Sequence, residues 1–345
     1  MNKKVFTVSL TGAAGNIGST LVFQLLQPGV FSDEPYQVRL KLAELPERLD
    51  RLKGLAMEAE DSFFDTLHSV KIYEDCLEAF SEADCVILCG ARPRTVGMER
   101  KDLLGINAKV IERQARLINE TANEQTKVLV VGNPSNTNAL IFSKVADRIS
   151  SENITSLSQL DLNRALRLIE KTGSFVTKSV KNVRIYGNHS KNLLIDVNKA
   201  YALLDSRHKL NPNVCGPSCV KVIDGLDKTF IEDDLQKIIQ QRGIEIIKTL
   251  GCSASYSAAY AIRTHLTAWF KGSDEVLAVG KIIKGFMGAP EELCVTLPVT
   301  VKNGSFQVPE DILDGLSDNQ KNKVKSSLKE LLHERRIAFE LLELN

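Results

Sequence analysis

The chain opens on Val5-Phe6-Thr7-Val8-Ser9-Leu10-Thr11-Gly12-Ala13-Ala14-Gly15-Asn16-Ile17-Gly18. Val5 to Leu10 has the length and apolar character of a strand. Gly12 to Gly18 is a turn, and Ser19 to Leu26 begins a helix. Glycine lets the backbone turn sharply and lets a pyrophosphate come close to the amides. The helix N-terminus adds a dipole that favours phosphate. The spacing is GxxGxxG rather than the commoner GxGxxG, and glycine turns without ligands are frequent. The placement between strand and helix is what makes Gly12, Ala13, Ala14, Gly15, Asn16, Ile17 and Gly18 candidate cofactor residues.

Outward from this turn the same unit repeats. Val38, Leu40 and Leu42 alternate toward Glu44, 26 residues past Gly18. A carboxylate at that strand end accepts hydrogen bonds from ribose hydroxyls and repels a 2′-phosphate, so NAD is expected over NADP. The alternative is that Glu44 merely caps a strand, and Arg48 and Arg51 leave room for some NADP. Cys85 to Cys89 and Val128 to Val131 are continuous apolar runs, as in parallel strands buried on both faces. Asp102 to Asn123 reads as a helix between them. An α/β fold with an N-terminal doubly wound Rossmann sheet follows. After about residue 155 the pattern changes. Leu160–Glu170 and Phe230–Leu250 read as helices, and Asn303-Gly304 reads as a hairpin turn. Ser317-Asp318-Asn319-Gln320 reads as a capping box. The expected division is a dinucleotide-binding domain over 1–155 and an α+β substrate domain over 156–345.

The chain has 345 residues, 43% hydrophobic and 25% charged, and a net charge of +1 from 44 basic and 43 acidic residues. This balance argues against nucleic acid or an anionic membrane as partner. No apolar run reaches membrane-spanning length, and the first residues lack a signal-peptide cleavage pattern. The seven cysteines form no ladder of spacings, which fits a reduced, cytoplasmic protein. Cys215 and Cys219 resemble half of a metal site, but no second pair follows, so no metal is expected.

Three runs carry chemistry. In Gly187-Asn188-His189-Ser190, His189 follows a strand, Val183–Tyr186, through a Gly-Asn turn; the chain's other histidines show no motif. A neutral imidazole can take a hydroxyl proton as hydride leaves. It needs a carboxylate to fix its tautomer, and Asp161 in Asp161-Leu162-Asn163-Arg164 is the candidate. Arg164, three residues on, shares the helix face of Asp161. Arg92, Arg94 and Arg100 crowd a segment punctuated by Pro93 and Gly97. That is either a solvated basic loop or a closing loop that grips carboxylates bidentately. Asn133, in Gly132-Asn133-Pro134, follows a strand end, where its amide can bond substrate or nicotinamide, although Asn-Pro also favours a plain turn.

Read together, these motifs resemble the malate dehydrogenases, especially the cytosolic-type branch. The matching runs are TGAAGNIG (11–18), GMERKDLL (97–104), VVGNPSNTN (130–138), LDLNRA (160–165) and GNHS (187–190). The resemblance implies NAD-dependent interconversion of malate and oxaloacetate by a homodimer. It implies that His189 is the proton acceptor and Asp161 its partner. Arg164 would grip the carboxylate next to the reacting carbon, Arg94 the distal one, and Arg100 would polarise the reacting oxygen. Asn107, Gln114, Val131, Gly132 and Asn133 join the glycine turn and Glu44 as cofactor positions, and Asn133 also meets substrate. Related lactate dehydrogenases carry a neutral glutamine where Arg94 stands. The chain departs from the family pattern at Tyr186, at Lys191–Ile195 and at Ala254.

Other readings stand beside this one. A short-chain dehydrogenase also begins TGxxGxxG but needs Tyr and Lys four apart, and none of the six tyrosines has that Lys. A lactate dehydrogenase is disfavoured by Arg94. A non-catalytic NAD-binding protein is disfavoured by the complete set of relay and arginines.

Overall fold

The computed structural model describes residues 3–74, 77–92, 100–204 and 219–344. Its strands are β1 Lys4–Thr11, β2 Tyr36–Glu44, β3 Leu67–Glu74, β4 Cys85–Leu88, β5 Lys127–Val130, β6 Ile154–Leu157, β7 Arg184–Tyr186, β8 Leu194–Asp196, β9 Tyr201–Leu203, β10 Cys219–Lys221, β11 Ser273–Lys284, β12 Glu292–Lys302 and β13 Ser305–Gln307. Its helices are α1 Asn16–Leu25, α2 Leu49–Asp61, α3 Leu77–Phe80, α4 Arg100–Thr121, α5 Ser135–Val145, α6 Gln159–Thr172, α7 Leu235–Leu250, α8 Tyr256–Lys271 and α9 Asp318–Leu342.

Nine of these strands form one sheet in the order β13-β12-β11-β6-β5-β4-β1-β2-β3. From β3 to β6 all pairs are parallel. The order reverses between β1 and β4, and in such sheets the crevice beyond the strand ends at that reversal is where ligands bind. Helices cover both faces: α1 packs on α8, while α4, α5 and α9 pack on one another. β4 is therefore buried along its whole length, as its unbroken apolar run predicts.

The sequence-based elements lie within about three residues of these bounds except at α7, where the expected start at Phe230 is a π-helical turn, Phe230–Asp234, that leads into the α-helix; one feature is new. β11 pairs antiparallel with β6 through Val279–Leu157, Gly280–Ser156 and Lys281–Thr155. The boundary expected at 155 thus falls inside a strand, and the two halves share main-chain hydrogen bonds. The acidic opening of β11 and its central Gly280 hide it from a pattern search. The Asn303-Gly304 hairpin forms, with both residues at positive φ. Ser317 and Gln320 complete the capping box of α9, each side chain bonding the other's backbone N–H.

His265 of α8 belongs to the core. It is fully buried, edge-on to Trp269 and Phe306, and contacts Thr155 Oγ1 at 3.2 Å. Burial pushes its pKa down to about 3. The folded state therefore resists protonation, while the unfolded chain takes a proton near pH 6.5. Stability is complete above that value and is lost as pH falls toward 3. Between pH 6 and 4.5 this one group removes about 1.4 kcal/mol per pH unit. Urea unfolding should show the native protein losing stability more steeply over this window than His265→Leu, the difference being that slope; equal slopes would remove the assignment.

Candidate active site and cofactor cleft

A cleft of about 810 Å³ opens at the ends of β1, β2 and β4. Gly12 forms its floor. Its φ is +63°, and a Cβ there would stand 2.7 Å from the Gly90 backbone, so the loops after β1 and β4 meet this closely because Gly12 has no side chain. Gly12, Ala14, Gly15, Asn16, Ile17 and Gly18 line the wall, and α1 begins at Asn16. Glu44 closes one end at 7% exposure. Its carboxylate accepts the N–H of Ala14 at 3.0 Å and of Leu45 at 3.1 Å. Two such bonds leave carboxylate lone pairs for ribose hydroxyls. Gln114 of α4 also faces the cleft, buried, with no partner for its Oε1 among the described residues. An orphaned buried amide oxygen, a closed glycine turn and an anchored carboxylate fit a dinucleotide.

Not every predicted position touches this space. Ala13, Asn107, Val131 and Gly132 are buried behind the walls. Asn107 spends its amide on the backbone, accepting the N–H of Arg92 at 2.8 Å and donating to the carbonyls of Arg92 at 3.1 Å and Asn133 at 2.7 Å. It braces the loops after β4 and β5 instead of projecting into the cleft. Sequence reasoning missed Arg113 and Ser253, which line the cleft. Ser253 lies in the irregular link between α7 and α8, where no pattern marks it. Cys89, half-buried, also lines the cleft, and desolvation pushes its thiol up to about 12, which disfavours the thiolate.

The loop after β5 links this cleft to the loop that carries His189. Asn133 is exposed, after β5. Three residues on, Asn136 in the first turn of α5 accepts the backbone N–H of His189 at 3.3 Å and donates to Cys294 O and Thr296 Oγ1. The chain of contacts Arg92–Asn107–Asn133 thus leads from the cleft to the His189 loop. His189 Nδ1 meets Asp161 Oδ2 at 2.5 Å. Asp161 lies in the first turn of α6, where the helix dipole favours an anion. Arg164 Nη1 lies 3.6 Å from Asp161 Oδ1, so the two predicted groups share a helix face.

The electrostatics follow from burial. Asp161 is 3% exposed, and burial alone would raise its pKa; His189 and then Arg164 outweigh that and hold it below the usual carboxylate value. Burial also disfavours the charge on Arg164, Asp161 supports it, and Arg242 adds repulsion. A guanidinium does not deprotonate in proteins, so this cation gains from a second anion. Arg94 lies outside the described residues, as does Cys215. Arg100 opens α4, but its side chain is also outside the described residues.

Two family models match the chain. The model for the lactate/malate dehydrogenase NAD binding domain covers residues 6–155, and that for the lactate/malate dehydrogenase alpha/beta C-terminal domain covers 158–341. Among solved structures, malate dehydrogenase from Naegleria fowleri is 31% identical over 99% of this chain and 100% of its own, with a TM-score of 0.87. Trichomonas vaginalis lactate dehydrogenase, in complex with NADH and oxamate, is 30% identical over 98% and 99%, with a TM-score of 0.88. Malate dehydrogenase from Plasmodium falciparum shares the fold at 18% identity over 97% and 99%, with a TM-score of 0.79. The cofactor is NAD, and among the described residues no helix is long and apolar enough to cross a membrane.

Glu44→Ala should weaken NADH binding by roughly tenfold, about 1.4 kcal/mol, by removing charged acceptors. NADPH should lose less, or gain. Fluorescence titration with both cofactors measures this, and equal losses would show that Glu44 does not face the ribose.

Proposed function

Because the chain belongs to the lactate/malate dehydrogenase family, we propose that it is an NAD-dependent malate dehydrogenase interconverting (S)-malate and oxaloacetate. The observation that carries the chemistry is the contact between His189 Nδ1 and Asp161, with Arg164 on the same helix face. With Nδ1 given to the carboxylate, Nε2 is the nitrogen that takes the substrate hydroxyl proton and returns it in reverse. Asp161 stabilises the imidazolium as it forms. Arg164 holds the carboxylate beside the reacting carbon by a bidentate grip. Asn133 bonds the substrate or the nicotinamide edge. When bound, the nicotinamide accepts or supplies the hydride.

Likeness to solved structures does not choose the substrate, since malate and lactate dehydrogenases match equally well. Arg94 supports the dicarboxylate. In the proposal it binds the distal carboxylate, Arg100 polarises the reacting oxygen, and the segment around 91–102 closes over both. An unpaired cation in a closed site is costly, so pyruvate, which lacks that carboxylate, is disfavoured. The proposal includes a cytoplasmic homodimer, supported by the family resemblance and by cysteines without a disulfide ladder.

His189→Asn should lower turnover by about three orders of magnitude while NADH affinity stays within about twofold. Near-normal turnover would remove His189 from the chemistry. Arg94→Gln should raise the kcat/KM ratio of pyruvate to oxaloacetate by roughly a hundredfold, and an unchanged ratio would take Arg94 away from the substrate.

A further inference from the structure

The loop that carries His189 is held from outside the site by one stripe of α9. Ser327, Glu330 and Glu334 are three and four residues apart, which aligns them on one helix face. Gly187 lies against Ser327 so closely that a Cβ there would meet Ser327 Oγ at 2.4 Å. Ser327 Oγ donates to the carbonyl of Asn192. Glu330 Oε2 accepts Ser190 Oγ at 2.6 Å and Asn192 Nδ2 at 3.1 Å. Glu334, 4% exposed, accepts Asn188 Nδ2 at 3.4 Å on one oxygen and Thr137 Oγ1 at 2.5 Å on the other.

These partners flank His189. Asn188 precedes it, Ser190 and Asn192 follow it, and Thr137 neighbours the Asn136 that accepts its N–H. Elsewhere α9 packs through Val324, Leu328, Leu331 and Phe339. A buried glutamate adds nothing to such packing and has to be hydrogen-bonded to be tolerated.

We propose that Glu330 and Glu334 are positioning residues for His189, setting where its ring stands between Asp161 and the substrate. The inference rests on the dehydrogenase reading above. Both act through the side chains of the residues on either side of His189. Misplacement of a reacting group by about 1 Å costs on the order of a hundredfold, so a loosened loop slows chemistry before it harms cofactor binding.

The test uses the full-length enzyme. Glu330→Ala should lower kcat by roughly ten- to a hundredfold and leave NADH affinity unchanged by fluorescence titration. The primary isotope effect with deuterated NADH should rise, because hydride transfer becomes slower than product release. Glu330→Gln should restore most of kcat, since one amide oxygen can accept both donors. Glu334→Gln, which keeps only one of two acceptor oxygens, should be restored less. If Glu330→Ala does not fold, Ser190→Ala with Asn192→Ala removes the same bonds from the other side and should give the same kcat loss. An unchanged kcat and isotope effect in the folded variant would overturn the proposal, as would failure of Glu330→Gln to recover. Absence of NADH-linked turnover in the unmodified protein would overturn the dehydrogenase reading instead.

Discussion

The site is organised around one buried charge. Asp161 lies almost wholly out of water, and a carboxylate in that position persists only if cations and donors surround it. His189 supplies one partner and Arg164 another. The pairing fixes the imidazole tautomer, and it places the imidazole on the same carboxylate as a largely buried guanidinium. The Asp161–Arg164 pair is local to α6, whereas His189 reaches Asp161 from a separate β-ribbon, so the geometry depends on how distant segments of the chain are joined.

That joint is the sheet itself. β6 ends the parallel set and pairs with β11, and Asn136, at the start of α5, ties the His189 backbone to β12. Gly187 is bonded in both directions to Thr296 of β12. The cleft and the loop that carries His189 are thereby mounted on one hydrogen-bonded frame. In the proposed reaction a small displacement in either would separate hydride from proton transfer, which accounts for the number of bonds spent on the seven-residue loop 187–193.

Features set by near neighbours in sequence were legible beforehand. The glycine turn, Glu44 at its strand end, the Asn303-Gly304 hairpin and the Ser317 capping box all depend on residues within a few positions of one another. The pairing of Asp161 with His189 was legible only through chemical logic and family likeness. Features made by distant contacts were not. The β6–β11 register is invisible because β11 opens on polar residues. Asn107 reads as a cofactor contact but bonds the backbone of two loops. Glu330 and Glu334 carry no motif, and only the fold brings the His189 loop against them.

The central claim is a dicarboxylate dehydrogenase built on the Asp161–His189–Arg164 group. Its most direct test is the loss of NADH absorbance at 340 nm by the purified protein, with oxaloacetate and pyruvate in parallel. The account predicts rapid NADH oxidation with oxaloacetate and little with pyruvate. Preference for pyruvate, or no oxidation with either, would contradict it.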